Sequence, residues 1–312
     1  MKKRKKQEKG ITLIALVITI VVLIILATVS INMILNDNGI MDAAELAKGK
    51  YQNAAHEEEI ELKNYLNKIN EEIANSVEKI SKEESYVGYY VDVDEKKGAD
   101  AVIYADLAKG GSGSWGRYSD SYVIPTETNL KDYYISEESY TGVFGTKPVL
   151  KPMGAGNSRF LAMALEDFTT SYWYKKANGI QNYSSVTPEG VGKGEINTNT
   201  MIAAWNGKIY GEQDDGDVWK VIQAENKKGW YVPSSDEWLV FCDVLNITGN
   251  YYNLDTNIMT YGNYKEFGLS DYYWCSDLQH SSMAYCMGLD VSDVRYDGTF
   301  DASYNVRLGI TI

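Results

Sequence analysis

The chain has 312 residues, of which 44% are apolar and 23% charged, a composition typical of one to three ordered units and not of a disordered chain. Its formal net charge of −13 is uneven, because residues 1–10 carry +5 and the remainder carries −18. Such an acidic body excludes unspecific nucleic-acid binding. Three cysteines exclude a disulfide framework, and two histidines exclude most histidine-based catalysis and metal binding.

Residues 11–35 contain no charged side chain. As a helix, a run of this length would cross a bilayer core of roughly 30 Å, and the basic residues before it favour a cytoplasmic N-terminus. The sequence therefore predicts a membrane-spanning helix. A cleaved secretory signal and a plain signal anchor are the alternatives, and the cleaved signal fits less well because the apolar run is long and no A-x-A-like site follows it.

The junction KG-ITLIALVITI resembles the cleavage signal of type IV pilins and pseudopilins. The resemblance implies a basic leader over residues 1–10, processing by a prepilin peptidase after Gly10, and methylation of Ile11. It also implies a membrane-anchored protein with an extracytoplasmic head, at the cell surface or in a pilus, with pilus or pseudopilus subunits as partners. Ala15 stands where pilins usually carry Glu, which favours a tip or minor subunit, or a membrane-held pseudopilin, over a major subunit.

The stretch NDNG at 36–39 predicts an interruption or kink, after which apolar residues recur at helical spacing up to Ile80. We therefore expect a transmembrane and stalk helix over residues 11–80. An ordinary amphipathic helix packed on the head is the alternative for its second half.

From about Tyr86 the composition changes, and all seven tryptophans and all five prolines follow. The segments YVGYYVDVD and AVIYADL predict strands, and GGSGSWG (110–116) predicts a loop, so residues 86–145 form a β-rich portion. The glycine-rich segments lack the G-K-[ST] ending of a phosphate-binding loop.

A helix is predicted within KKGWYVPSSDEWLVFCDVL (227–245). Ser234 or Ser235 is its predicted N-cap, Glu237 falls near N3, and Trp238 and Phe241 lie on its apolar side. Further along the chain, YYWCSD (272–277) precedes YNVRLGITI (304–312), which predicts a closing strand.

The order of these motifs resembles the C-type-lectin-like fold, in the branch shared by formylglycine-generating enzymes and the variable proteins of diversity-generating retroelements. The resemblance implies an α+β protein in which a long N-terminal pilin-like transmembrane helix precedes a C-type-lectin-like globular head over residues 86–312. Trp230, Trp238 and Trp274 are then expected to be core aromatics, and Arg307 to be structural.

The last 46 residues contain neither Lys nor Glu, although the chain has 25 Lys and 22 Glu. In retroelement variable proteins, adenine randomisation turns AAY codons into NNY codons, which never encode Lys or Glu. The resemblance thus implies that residues 266–312 form a variable, ligand-facing tail, with Gln279, Met283 and Met287 as fixed positions. A chance composition and a lysine-poor buried β-region are the alternatives.

Tyr, Ser, Asp and Asn dominate this tail, as they do in antibody paratopes, where Tyr supplies contact area at low entropic cost. The residues predicted to face a ligand are Asp277, His280, Ser281, Ser282, Tyr285, Asp290, Ser292, Asp293, Tyr296, Asp297, Phe300, Asp301 and Ser303.

Catalysis and calcium binding are the weaker interpretations. Cys275 and Cys286 lie eleven residues apart, unlike the active-site pair of formylglycine-generating enzymes, and a disulfide between them and two free thiols both fit the sequence. The acidic stretch EQDDGD (212–217) lacks the spacing of a calcium loop. We therefore expect no enzymatic activity, no metal site, no cofactor and no nucleic-acid partner.

The predicted function is non-catalytic binding of an external protein or glycan by an adhesin-like or receptor-like head, anchored at a membrane and diversified by a retroelement. The alternative is a minor pilin or pseudopilin subunit with a fixed structural head.

Overall fold

The computed structural model describes residues 13–35, 40–76, 79–93 and 98–312, and within these the side chains of 13–15, 30–35, 40–46, 66–67, 69–76 and 294–297 are left out. The chain divides into two compact units, Met1–Ile69 and Asn70–Ile312. The predicted processing site at Gly10 and Ile11, and the predicted interruption at 36–39, lie outside the described residues.

The first unit contains helix α1 (Leu13–Leu35) and most of helix α2 (Ile40–Ser76). Within the ranges that the structure describes, no helix is long and apolar enough to cross a membrane. The prediction of a long transmembrane helix is therefore wrong, and the described part of residues 11–80 contains helices α1 and α2. The fold class is corrected with it: in place of a membrane helix carrying a C-type-lectin-like head, the chain is a mixed α/β protein that is mostly sheet.

A seven-stranded sheet forms the middle of the second unit, with the strand order β5-β6-β1-β2-β7-β16-β9. Neighbouring strands are antiparallel except β1 and β6, which are parallel. Its strands are β1 (Tyr90–Val91), β2 (Ala101–Asp106), β5 (Asp132–Gly142), β6 (Gly145–Met153), β7 (Phe160–Ala164), β9 (Trp230–Tyr231) and β16 (Gly309–Thr311).

A five-stranded sheet carries most of the tail, with the order β14-β13-β12-β15-β8. All its pairs are antiparallel except β12 and β15. Its strands are β8 (Thr169–Tyr172), β12 (Tyr272–His280), β13 (Met283–Gly288), β14 (Asp293–Thr299) and β15 (Ser303–Val306).

Two hairpins and several helices complete the unit. The hairpins pair β3 (Gly111–Trp115) with β4 (Asp120–Ile124) and β10 (Tyr251–Asn253) with β11 (Ile258–Thr260). The helices are α3 (Tyr183–Val186), α4 (Gly194–Asn206), α5 (Val218–Val221), α6 (Gln223–Asn226), α7 (Ser235–Val244) and a 3-10 helix over Tyr264–Phe267.

Two hydrophobic clusters lie on opposite faces of the seven-stranded sheet. In β2, Ala101 and Ile103 belong to one cluster, while Val102 and Tyr104 belong to the other. Successive side chains of a strand point to opposite faces, so a strand buried on both faces reads as a continuous apolar run, as AVIYA does here.

Core tryptophans and the capping of α7 are as predicted. Trp230 is 5% exposed and Trp238 and Trp274 are fully buried. Ser234 is the N-cap of α7 and forms a capping box with Glu237, because each side chain bonds the backbone N–H of the other residue.

Two segments differ from their predictions. GGSGSWG was predicted as a loop, but residues 111–115 form β3, because every one of them pairs with a residue of β4. The predicted closing strand over 304–312 divides into β15 and β16, which lie in different sheets. Buried Arg307, between the two strands, donates to Asp167 from Nε at 2.8 Å, which fits its predicted structural role.

Candidate functional site

The structure describes the side chains of eleven of the thirteen predicted ligand-facing residues, and four of these are buried. Their exposed fractions are 0% for Asp277, 7% for Tyr285, 7% for Ser292 and 6% for Phe300. Strands β12 and β13 of the tail lie inside the sheet and contribute residues to both core clusters, so the core covers both of their faces and buries Asp277 and Tyr285 there.

The buried Asp277 caps helix α7. Its carboxylate accepts a hydrogen bond of 2.7 Å from the backbone N–H of Ser235 and a second from the Ser235 hydroxyl. Burial raises the pKa of Asp277 to about 7, against the lowering effect of those bonds. Beside it, burial raises the pKa of Glu237 to about 7. These carboxyls stabilise the start of a helix and are not open to a ligand.

Tyr285 and Phe300 also make internal contacts. The Tyr285 hydroxyl donates to Glu189 Oε1 at 2.8 Å, and the Phe300 ring stacks on Trp173 with 4.8 Å between the centroids. Both aromatic rings therefore contribute to the core.

The remaining predicted residues are exposed to different degrees. Ser281, Ser282, Asp301 and Ser303 are exposed, while His280, Asp290 and Asp293 are half-buried. The structure does not describe the side chains of Tyr296 and Asp297.

The structure does not bring all thirteen residues to one face. Because Met283 pairs with Thr299, the turn at 281–282 lies beside the turn that follows β14. The turn at 289–292 lies at the other end of β13, where Gly288 pairs with Asp293. The tail thus presents two separate surfaces, and the second one adjoins further clefts and exposed aromatic side chains.

The first cleft at this end has a volume of about 390 Å³. It lies where β12 begins beside β15, and Lys265, Ser270, Asp271, Tyr272, Ser303, Tyr304 and Asn305 line it. Lys265 bonds the carboxylate of Asp271 at 2.6 Å, and this bond holds the pKa of Asp271 below its usual value.

The second cleft has a volume of about 350 Å³ and lies where three turns meet. Ser114, Trp115, Gly116, Arg117, Thr248, Gly249, Tyr251 and Ser292 line it. Next to it, the Arg117 guanidinium lies 4.4 Å from the centroid of the Tyr118 ring, which is 62% exposed.

Short contacts fix the turns of the second cleft. The backbone N–H of Arg117 donates to Ser292 O at 2.8 Å, and Trp115 Nε1 donates to Ile247 O at 2.6 Å. Gly116 has φ +84°, and a Cβ there would lie 2.9 Å from Ser292 O, so only glycine allows this approach.

Asp290 connects the two clefts. Its Oδ2 accepts a hydrogen bond of 2.6 Å from the Tyr272 hydroxyl of the first cleft. The backbone carbonyl of the neighbouring Leu289 accepts a hydrogen bond from the backbone N–H of Asn250. In the sequence, Asn250 lies between Gly249 and Tyr251, which both line the second cleft. We call the two clefts with Asp290, Tyr118 and the hairpin β10–β11 the two-cleft surface.

The hairpin β10–β11 exposes apolar side chains on both faces. Tyr252 and Met259 are paired opposite each other, as are Asn253 and Ile258 on the other face. The exposed fractions are 41% for Tyr252, 80% for Leu254, 59% for Ile258, 42% for Met259 and, just after the hairpin, 79% for Tyr261. So many exposed apolar groups on one short hairpin are typical of an interaction site.

The structure also places the possible metal ligands and the thiols that it describes. Among them, no group of three or more His, Cys, Asp and Glu side chains is arranged to hold a metal ion. Cys242, Cys275 and Cys286 are buried and form no disulfide, and Cys275 and Cys286 belong to different core clusters. In the EQDDGD stretch, buried Asp217 accepts from Trp205 Nε1 at 2.8 Å and from the Lys175 N–H at 2.8 Å.

Sequence reasoning missed the hairpin and the β3–β4 turn as parts of the site. The available signal was composition: the segment GNYYNLDTNIMTYGNY (249–264) is as dense in Tyr and Asn as the tail itself. Like the tail after Glu266, this segment contains neither Lys nor Glu.

No family model matches the chain, and no curated protein matches it. Among solved structures, it is similar to a fimbrial protein from Bacteroides ovatus ATCC 8483, with a TM-score of 0.32 and 16% sequence identity. That alignment covers 49% of this chain and 36% of the fimbrial protein, so the chain matches well under half of its neighbour's length. A likeness this weak carries no argument about function, and the pilin, C-type-lectin and retroelement resemblances find no support in these comparisons.

Proposed function

We propose that the second unit is a non-catalytic binding module that recognises a protein ligand through the two-cleft surface. The observation that carries this proposal is the exposed apolar hairpin β10–β11 beside two clefts lined by Tyr, Ser, Asn and Asp.

The hairpin supports a protein ligand over a glycan. Leu254 and Ile258 are aliphatic and 80% and 59% exposed, and such side chains gain roughly 25 cal/mol for each Å² of apolar area that a partner covers. Aliphatic groups offer a glycan neither stacking rings nor hydrogen bonds, whereas protein interfaces bury them at their centre.

The clefts supply the polar part of such an interface. Their Tyr, Ser and Asn side chains combine contact area with adaptable hydrogen bonds, as in antibody paratopes. The contacts of Gly116 and Arg117 with Ser292 hold the turns in place, so a ligand would bind a surface that is already formed.

Capture experiments with the full chain test the proposal. The triple variant Tyr118→Ser, Tyr252→Ser and Tyr261→Ser removes three exposed rings. The matched control is Ile196→Ser with Ile209→Ser, two exposed apolar side chains outside the two-cleft surface. Each variant would be used to capture proteins from the growth medium of the cells that produce the chain. The captured proteins would be quantified by mass spectrometry.

We expect one or a few proteins to be enriched by the wild-type chain and by the control, and to be lost with the triple variant. Retention of the same proteins by all three chains would overturn the proposal. If enzymatic removal of glycans from the sample abolishes capture, the ligand is a glycan and not a protein.

The finer part of the proposal is that the module is displayed outside the cell and that its tail is diversified. It rests on the pattern of residues 1–35 and on the missing Lys and Glu after residue 266. Sequencing the codons for 266–312, and the DNA after them, across one population tests it. An invariant tail with no template copy would contradict diversification.

A second candidate function is that of a subunit in an assembly. Leu16, Leu23 and Val29 of α1 are 49%, 60% and 53% exposed, and the other described large apolar side chains between them are comparably exposed. Such a helix loses its contact with water if helices of other copies pack around it. Cysteine cross-linking at Ile18 in cells would show ladders of oligomers if this is so, and only monomer if it is not.

A further inference from the structure

The hairpin of β3 and β4 forms a two-stranded sheet of its own, so β3 has a neighbouring strand on one side alone. Gly111, Ser112 and Ser114 are exposed, and Gly113 is half-buried. In the part of the chain that the structure describes, the backbone of residues 111–115 forms no hydrogen bond except with β4. The outward-facing N–H and C=O groups of β3 are therefore open to another strand.

The composition of β3 leaves this edge unprotected. Proteins usually protect a free edge with charged residues, proline or bulges, because an open edge pairs with other chains. The edge strand β5 carries Glu137 and Glu138, and the edge strand β14 carries Asp293 and Asp297. By contrast, β3 reads GSGSW, with no charge and no proline, and it pairs with β4 without a bulge. Its short side chains also leave room for the backbone of another segment.

A cleft lies at each end of β3. Ser114 and Trp115 line the second cleft at the end of the strand. A third cleft, with a volume of about 210 Å³, lies at its beginning and is lined by Gly111 and Ser112. The strand β4 is also an edge, but it exposes Val123 and lines only the third cleft. The edge of β3 is thus the one that leads from one cleft to the other, and such recesses receive side chains of a paired segment.

Each of these two clefts contains a cation. Lys109 lines the third cleft, where its Nζ donates to a backbone carbonyl at 2.7 Å. Arg117 lines the second cleft and contacts the Tyr118 ring. Among the described residues, neither cation forms an ion pair. Asp106 of the third cleft is already paired with buried Arg159 at 2.9 Å. Both ends of the β3 edge therefore offer a positive charge to a carboxylate.

We propose that an extended segment of the partner protein adds to β3 as a third strand, with a carboxylate near each end of the segment. Main-chain hydrogen bonds with residues 111–115 hold the segment, and its carboxylates pair with Lys109 and Arg117. Between the carboxylates the segment is uncharged, as β3 itself is. This inference rests on the proposed function, because it names the part of the protein ligand that the two-cleft surface recognises.

Selection of a phage-displayed library of random twelve-residue peptides on the purified full chain tests the proposal. We expect the enriched peptides to carry acidic residues on both sides of an uncharged run. Each enriched peptide would be synthesised and its binding measured by fluorescence anisotropy. In a paired strand, the N–H groups of alternate residues face the neighbouring strand and the others face solvent.

N-methylation of one alternate set of peptide residues should therefore weaken binding about tenfold or more, because it removes several main-chain hydrogen bonds at once. N-methylation of the other set should leave binding unchanged and is the matched control. Hydrogen exchange of the backbone amides in residues 111–115 should also become slower when the peptide is bound.

Substitutions in the chain test the two charges. Arg117→Gln and Lys109→Gln should each weaken peptide binding about two- to fivefold, as expected for the loss of one exposed ion pair. Lys227→Gln, an exposed residue outside β3 and both clefts, should leave binding unchanged. All three side chains are exposed, so thermal denaturation should show unchanged folding of the variants.

The proposal is overturned if no peptide is enriched, if both N-methylated sets bind alike, or if exchange at 111–115 is unchanged with peptide bound. The variant Tyr252→Ser with Tyr261→Ser separates this result from the proposed function. If the peptides lose binding to that variant while exchange at 111–115 stays unchanged, the two-cleft surface binds protein ligands but no strand adds to β3.

Discussion

The hydroxyl of Tyr272 donates a hydrogen bond of 2.6 Å to Oδ2 of Asp290. The bond joins the first residue of β12, which lines the first cleft, to the turn between β13 and β14. Because its acceptor is a half-buried carboxylate, it belongs to the stronger class of protein hydrogen bonds.

Tyr272→Phe removes this bond and leaves the ring in place. We expect the free energy of unfolding to fall by about 1.5–3 kcal/mol, since hydrogen bonds to charged groups contribute that much. Urea denaturation followed by tryptophan fluorescence measures it. Tyr261→Phe is the control, because its ring is 79% exposed, and it should change stability by less than about 0.5 kcal/mol.

Stability should fall as pH rises from about 4 to 7. Burial raises the pKa of Glu237 and of Asp277 to about 7, above their usual values of 4.5 and 3.8. Both carboxyls therefore bind protons more tightly in the folded chain than in the unfolded one, so the stabilisation is full below pH 4 and is lost as pH rises through 7. The contribution is on the order of 3 kcal/mol for Glu237 and about 4 kcal/mol for Asp277 at most.

Glu237→Gln should flatten this dependence, because Gln keeps the capping-box acceptor without titrating. Urea denaturation at pH 5 and pH 8 gives the difference, and Glu195→Gln should retain the wild-type slope. Equal slopes for wild type and Glu237→Gln would show that Glu237 does not titrate in this range.

Gly298→Ala should destabilise the five-stranded sheet. An added Cβ would lie 2.5 Å from the Trp274 ring and 3.0 Å from Tyr304, which lines the first cleft. Overpacking of this kind costs about 1–3 kcal/mol, so the melting temperature should fall by several degrees. Gly49→Ala in α2, where no atom lies within 4 Å of the added Cβ, should not lower it.

If the tail is diversified, variation should follow exposure. We expect changes at Ser281, Ser282, Asp301 and Ser303, which are exposed, and none at Asp277 and Tyr285, which are buried. Deep sequencing of one population measures this. Variation as frequent at Asp277 as at Ser281 would contradict the structure-based assignment, because a buried carboxylate that caps α7 does not tolerate arbitrary replacement.

Local signals in the sequence were sufficient for α7 and β2. The Ser234 to Glu237 spacing defines a capping box within four residues, and AVIYADL alternates as strands do, although its burial on both faces is a finding of the structure. Neither inference depends on the rest of the chain.

The site could not be predicted as well, because it depends on long-range pairing. Composition alone identified the tail residues without separating those that face the core from those that face solvent. That separation follows from which tail residues lie in turns and which lie in paired strands, and the strand pairing is long-range. The bulge between Trp274 and Leu278, which contains Asp277, is a feature of pairing with β13 that no local pattern encodes.

Strand β16 pairs with β7 on one side and with β9 on the other, although it follows both by many residues. During synthesis, no strand therefore pairs with both β7 and β9 until residues 309–311 have left the ribosome. A nascent chain stalled before that point would expose an unpaired β7 edge and would depend on chaperones, while the completed chain can close its sheet in one late step.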